Sequence, residues 1–519
     1  MTIPFHFYLQ TPVAPAEVLA EFAPLGALQV DSQVCSQRTY YDTFDWRLHA
    51  AGTVLVEEKQ PGQALLCWRR LDSDQLLGQQ ETAPPRFVAE LPDSDLKSGL
   101  EPLVEMRALL PMTQMDLRTV TAAVLNQQQK TVLRLVIEKG HAVLPGTEYE
   151  PLPPRLRIEP VKGYRKPLQK ALAIITRELR LEPASHLLDE GLDLSGREAG
   201  DYSGKLDVTL HPEMPVGQAL RTILLRLLET MDDNLEGARQ DLDSEFLHDF
   251  RVAVRRTRSA FSQIKGVLQP AVLSRFRPGF KWLGEITGPT RDLDVYLLKL
   301  PAYRDQLPTA LQAELEPLQN HLGKHQRSAQ RKLAKQLDSV RFRRLMQEWR
   351  AFLSQPFVPS AWTEKAVRPV GEIASRRIWK AYRKVIRDGE AITKSTPAEA
   401  LHELRIDCKK LRYLMEFFQS LYPADRIRKQ IKALKSLQDN LGDFHDLEVQ
   451  AEALTRFGHD MQADNPKLPG EAYMAIGVLI DSLNQRQQAE RHRFADRFAH
   501  FARPVNRQAY LEMFRSRRP

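Results

Sequence analysis

The chain has 519 residues, of which 42% are hydrophobic and 27% charged. That length is too great for one core and predicts two to four domains, while the balance excludes wholesale disorder, a collagen-like fibre and a membrane bundle. The formal charge of +8 is unevenly shared. Residues 1–212 carry 22 Lys+Arg against 28 Asp+Glu, a net of −6, and residues 213–519 carry 52 against 38, a net of +14. Such asymmetry predicts two modules, the second of which meets an anion.

The N-terminal part holds short β-type runs: Arg38–Tyr41, Thr53–Val56, Leu65–Trp68 and Thr131–Ile137. Turn pairs such as Pro61-Gly62 and Pro145-Gly146 separate them. A helical stretch over 166–181 follows the last predicted strand. The texture predicts an antiparallel α+β domain over 1–195. Gly191, Gly196, Gly200, Gly204 and Pro212 lie among polar residues at 191–212, and the linker is placed at 196–212. Helical periodicity dominates from 213 onward. Leu220, Ile223, Leu224, Leu227, Leu228 and Met231 follow the spacing of one buried helix face. Amphipathic stretches recur near 243–268, 304–355, 362–390, 397–421, 424–441 and 470–498, with Pro212, Pro270, Pro356, Pro397 and Pro423 at the joints. An all-α domain is expected over 213–505, with a C-terminal tail at 506–519.

Cys35, Cys67 and Cys408 have no disulfide or metal spacing, as in a reducing compartment. The start shows no basic segment leading an apolar one, and no run of about 18 apolar residues exists. A cytoplasmic protein without a membrane span is expected.

The helical part contains an internal repeat. His248-Asp-Phe-Arg251-Val-Ala-Val-Arg255-Arg256-Thr-Arg258 is matched 154 residues later by His402-Glu-Leu-Arg405-Ile-Asp-Cys-Lys409-Lys410-Leu-Arg412. Lys281, Leu283, Gly288, Asp292, Leu293 and Val295 fall at the same offset on Lys435, Leu437, Gly442, Asp446, Leu447 and Val449. A constant offset predicts a duplicated helical unit with pseudo-twofold symmetry and a shared groove. On a helix, positions i, i+3, i+7 and i+10 share a face. That face holds His248, Arg251, Arg255 and Arg258 in one copy and His402, Arg405, Lys409 and Arg412 in the other, flanked by Arg256 and Lys410. Phe250, Val254 and Phe261, with Leu404, Cys408, Leu411 and Met415, form the anchoring side. Like charges so spaced repel, and these helices supply few acids on the same face. A polyvalent anion relieves the repulsion, since guanidinium forks match phosphate oxygens and His donates when protonated. Arg376, Lys380, Arg383 and Arg387 form a further stripe, as do Arg428, Lys432 and Lys435. Arg291 and His445 occupy equivalent repeat positions. A lone basic stripe is usually a solvated face; two matching copies argue for an anion site.

These stretches, Leu247–Ser259 and Leu401–Tyr413, resemble the CHAD domain, the conserved-histidine α-helical domain. The resemblance covers about 213–500. It implies two four-helix halves around a basic groove that binds inorganic polyphosphate, with the His and basic residues just named lining it. It also implies association with polyphosphate granules, and hence with granule proteins as partners.

Residues 1–200 resemble the CYTH domain, a tunnel-shaped antiparallel β-barrel whose active members process triphosphates. Tyr40-Tyr-Asp-Thr-Phe-Asp-Trp-Arg-Leu48 with Gly52 carries the likeness. The family's Glu-x-Glu-x-Lys strand is absent, because Pro4–Leu9 stands in its place. Thr53–Val56 supplies no Arg, and Arg155–Glu159 keeps a single acid, Glu159. Arg69, Arg118, Arg134 and Lys139 are candidates to point inward. Metal-assisted phosphoryl transfer needs several carboxylates, so a catalytically silent barrel is expected, with no catalytic residue, cofactor or metal ligand. The alternative is a metal-dependent inorganic triphosphatase. Nucleic-acid binding is disfavoured, because the basic faces lack interleaved aromatics for stacking.

Overall fold

The computed structural model describes residues 6–9, 14–144, 146, 148–358 and 362–515. Pro4 and Phe5 of the expected first strand and Pro145 of the expected turn lie outside these. The chain forms two compact units, residues 1–204 and 205–519.

The first unit is one antiparallel sheet of eight strands. In chain order they are β1 (His6–Tyr8), β2 (Ala27–Asp42), β3 (Thr53–Gln60), β4 (Gln63–Arg70), β5 (Leu76–Glu81), β6 (Leu110–Leu125), β7 (Thr131–Val143) and β8 (Tyr149–Pro160). They are arranged β1-β8-β7-β6-β2-β3-β4-β5. Helices α1 (Pro15–Ala20), α2 (Arg47–Ala50), α3 (Asp95–Val104), α4 (Arg165–Ala173) and α5 (Leu187–Leu194) cover it. Strand alternation divides the core. On β3, Val54 and Val56 join Tyr40, Met115 and the α5 residues Leu187, Leu188 and Leu192, while Leu55 packs with Leu96 and Leu100 of α3 on the other face.

The expected barrel is an open sheet. Among the described strands β1 pairs only with β8 and β5 only with β4, β1 adding a single bridge from Phe7 to Pro183. The sheet curls enough that side chains from β1, β2, β3, β4 and β8 line one cavity, and His186 and Leu187 complete its wall. Gly191, read as part of a linker region, lies inside α5. A Cβ there would sit 2.4 Å from Thr113 Oγ1 and 2.5 Å from Met115 Cε, so the glycine permits close packing of helix on sheet.

The second unit is helical: α6 (Val216–Gln240), α7 (Ser244–Gln263), α8 (Pro270–Ile286), α9 (Gly288–Asp305), α10 (Thr309–Gln312), α11 (Glu316–Leu337), α12 (Val340–Ser354), α13 (Val370–Glu390), α14 (Ala398–Phe417), α15 (Ala424–Asp464), α16 (Gly470–Phe501) and α17 (Pro504–Phe514). The apolar face predicted for α6 is buried throughout. Helices α6, α7, α8 and α11 begin 154 residues before α13, α14, α15 and α16. The repeat is thus structural. Val216 N donates to Arg368 O at 2.8 Å, and Val370 N donates to Met214 O at 2.8 Å. The same two positions of each copy therefore bond reciprocally, as a pseudo-twofold axis requires.

The copies differ where their sequences do. Pro289 in the first turn of α9 lacks an N–H, and the chain breaks there into α8 and α9. Asp443 stands at the equivalent place and α15 runs unbroken for 41 residues. The long stretch expected at 304–355 divides at Ser339, whose side chain caps α12 by accepting from Phe342 N at 3.2 Å. Residues 506–514, expected as tail, belong to α17. Tyr510 is fully buried, its ring stacked 3.8 Å from that of Tyr382.

Candidate anion-binding surface

Helix α7 starts cleanly because Asp243 accepts from Glu245 N and Phe246 N. Its apolar side, Phe250, Val254 and Phe261, is buried, as are Leu404, Cys408, Leu411 and Met415 of α14. The opposite sides carry the two predicted stripes, which meet where α7 approaches α14. Arg255 Nε donates to Tyr413 Oη at 2.8 Å, and Arg255 is among the charges that act on Lys409.

Neighbouring helices, and α14 itself at Glu416, supply acids that the helical repeat alone did not reveal. Arg291 pairs with Glu245 at 3.1 Å and donates to Ser244 O. Arg405 pairs with Asp446 at 2.9 Å. Arg256 and Arg412 share Glu416, at 3.1 and 3.2 Å. Arg251, Arg255, Arg258 and Lys409 differ: among the described residues none makes an ion pair with a carboxylate. Arg251 Nη1 donates to Thr287 Oγ1 at 3.0 Å and Gly284 O at 3.3 Å. Arg258 Nη1 lies 2.5 Å from where a Cβ on Gly284 would stand, so glycine admits the guanidinium.

The electrostatics register this crowding. Burial first, then the Arg405 and Arg255 guanidiniums, push the Lys409 ammonium down to about 8. Burial also lowers Arg251; Asp292 opposes this, and Arg255, Arg291 and Arg258 add to it. A positive charge held beside other positive charges is stabilised by an arriving anion.

The histidines join the stripe's ends. His248 is lowered by burial and then Arg291; His445 is lowered by burial, Arg405 and His402. Both are therefore harder to protonate than an ordinary histidine, which favours the weaker, neutral donor over imidazolium. His402 Nε2 lies 2.9 Å from Glu448 Oε2 and 3.1 Å from His445 Nδ1. These three side chains have the spacing to hold a metal ion. Glu448 was not singled out in the sequence, although it stands three residues beyond His445 on the same helix.

The remaining predicted cations lie elsewhere. Arg376, Lys380, Arg383, Arg387 and Lys410 line a groove of about 1230 Å³, with Trp379, Lys384 and Asp407. Asp407 and Lys410 stand roughly 80–140° around α14 from His402, away from Arg405 and Arg412. The groove and the stripe thus occupy opposite sides of that helix. Lys384 and Lys410 both bind Asp407. Lys281 is exposed beside Glu285 and Arg428 beside Asp425. Lys432 and Lys435 are exposed on α15.

The first unit's cavity holds about 30 Å³. Arg38 Nη1 meets Glu138 Oε1 at 2.8 Å, Arg69 lies near Glu58 and Asp74, and Arg157 near Asp74, Glu138 and Glu159. Burial alone would raise the Glu138 carboxyl; Arg38, Arg157 and Arg155 instead hold it down at about 2. Of the four basic candidates only Arg69 lines this cavity. Arg118 is exposed, Arg134 is half-exposed near Asp31, and Lys139 is partly buried. Glu159 is partly exposed and held by Arg157.

A bundle built from two copies of one helical unit, with a duplicated His-and-Arg stripe, defines the class. The family model of the CHAD domain matches residues 222–455, and the chain carries a CHAD domain there. No curated protein matches the chain in sequence. Among solved structures it is similar to the CHAD domain from the plant Ricinus communis, at 24% identity and a TM-score of 0.45, covering 60% of this chain and 96% of that one. It is similar to PptA from Streptomyces chartreusis at 18% identity and 0.43, covering 55% and 99%. A putative adenylate cyclase from Bacillus halodurans is similar at 14% identity and 0.25, covering 37% and 98%. No helix among the described residues is long and apolar enough to cross a membrane.

Proposed function

We propose that the helical unit binds inorganic polyphosphate along the joined stripes, with the α13 groove as a second contact surface. One observation carries this reading: Arg251, Arg255, Arg258 and Lys409 come together from both repeats, and among the described residues none of them makes an ion pair with a carboxylate. A flexible polyanion offers many phosphates to such a row, and each contact is charge-assisted. The CHAD match supports the same ligand class. The protein works in the cytoplasm, at polyphosphate granules and beside granule proteins, where long chains concentrate.

The first unit serves as adaptor or scaffold. A space of about 30 Å³ is far smaller than the pockets that hold ligands, and its acids are already engaged by arginines. Phosphate release from triphosphate with Mg²⁺ or Mn²⁺, abolished by Glu159→Gln, would restore the triphosphatase reading.

Binding of long-chain polyphosphate to the native chain is compared with Arg251→Glu, Arg255→Glu, Arg405→Glu and Lys409→Glu combined. The reading expects affinity to collapse, and native affinity to fall as salt rises. Arg258→Ala, which alters one exposed side chain, guards against misfolding and is expected to weaken binding on its own. Unchanged affinity in both variants sinks the proposal.

A further inference from the structure

Outside the stripe and the groove, one cluster of ligating side chains has no role in polyanion binding. His321 and His325 are four residues apart on α11, so their imidazoles project from one side of the helix, ring centroids 4.3 Å apart. Asp464 ends α15, a helix of the other repeat. One ligand atom from each of the three lies within 4.8 Å of the others. His321 is nearly buried, with its ring near Phe457, whereas His325 and Asp464 are exposed.

The repeat provides an internal comparison. The positions 154 residues on from His321 and His325 are Ala475 and Leu479, both buried in the apolar cluster that joins the repeats. One copy thus fills this place with apolar groups, while the other carries two imidazoles beside a carboxylate. Packing does not require the change. Lys324 is the only basic side chain in ion-pair reach of Asp464 among the described residues, at 3.7 Å, and both are well exposed.

We propose that His321, His325 and Asp464 bind a zinc-class divalent cation that clips α11 to the end of α15, across the two repeats. Two imidazoles and one carboxylate suit a borderline metal such as Zn²⁺ better than Mg²⁺ or Ca²⁺. Tetrahedral ligands at about 2.1 Å from Zn²⁺ stand about 3.4 Å apart, so small side-chain rotations close the shell. Water takes the fourth position, and Lys324 is displaced. Asp460, one turn before Asp464, adds negative charge near His321. Binding takes both imidazoles in their neutral form, so it weakens as pH falls below the histidine range.

The experiment uses the full chain and Co²⁺ as a spectroscopic stand-in for Zn²⁺, followed by Zn²⁺ competition. A visible d–d band is expected that Zn²⁺ abolishes. His325→Ala, an exposed change that leaves the core intact, should weaken Zn²⁺ at least tenfold. His445→Ala should leave this band in place, which separates the site from the His402 cluster. Zn²⁺ should also raise the unfolding midpoint of the native chain and not that of His325→Ala. Absence of a band, a band indifferent to His325→Ala, or one lost with His445→Ala overturns the proposal.

Discussion

Raising the pH from 7 to 9 should discharge Lys409 and weaken polyphosphate binding about tenfold. The free protein holds this ammonium at about 8, against 10.5 for an ordinary lysine. Burial lowers it most, Arg405, Arg255 and Arg412 push it down further, and Asp446 pulls it up. A bound polyanion adds negative charge beside it and raises its affinity for the proton. Between the free and bound values, binding therefore takes up a proton and weakens as pH rises. With a free value near 8 and the bound form fully charged, the apparent Kd grows by a factor of about 1.1 at pH 7, 2 at pH 8 and 11 at pH 9. Calorimetry in two buffers of different ionisation enthalpy should show proton uptake approaching one per site near pH 9. Lys409→Arg keeps its charge at every pH in the range, so its affinity should be level from 7 to 9. A level native profile, or an equal slope in Lys409→Arg, would refute the reasoning.

Asp294 is buried and its Oδ2 has no hydrogen-bond partner, while Gln326 Nε2 donates to Oδ1 at 3.0 Å. Burial raises its carboxyl to about 6; the folded state favours the protonated form, and that advantage is lost as pH rises through 6. Asp294→Asn should therefore raise the unfolding free energy measured by urea titration at pH 8, by about 3 kcal/mol at most, and change it little at pH 4; equal shifts at both pH values would count against this. Gly191→Ala should cost about 1–3 kcal/mol by overpacking against Thr113 and Met115, read from thermal unfolding of the first unit. Tyr510→Ala should cost about 3 kcal/mol, and a neutral result would return residues 506–514 to the status of a tail.

The duplication was legible because one offset governs both the His-and-Arg segment and the later Lys281–Val295 segment, and it reappears in the helix starts. Burial of Phe250 and Leu404 followed from helical spacing alone. Spacing could not say which side of the bundle a stripe faces. Lys409 and Lys410 are adjacent in sequence, yet one joins the stripe and the other the groove. Nor could it find Glu416 for Arg256, 160 residues away, or Asp446 for Arg405. In the first unit the alternation of Arg155 and Arg157 was visible. Their partners were hidden: Arg155 binds Glu190 of α5, and Glu138, beside Arg157, meets Arg38 from a strand beyond β6 only when the sheet curls. Gly191 was misleading for a related reason: a glycine set among polar residues marks a turn unless a sheet happens to lie against it.

The reciprocal backbone bonds at Val216 and Val370 have a consequence for how this molecule could diversify. A contact of that kind between separate, identical subunits depends on protein concentration, and any substitution enters both sides at once. Covalent linkage makes the contact intramolecular, with an effective concentration fixed by the tether. It also frees each side to change alone. Pro289 opposite Asp443, and His321 with His325 opposite Ala475 with Leu479, are departures that a homodimer could not have made on one side only.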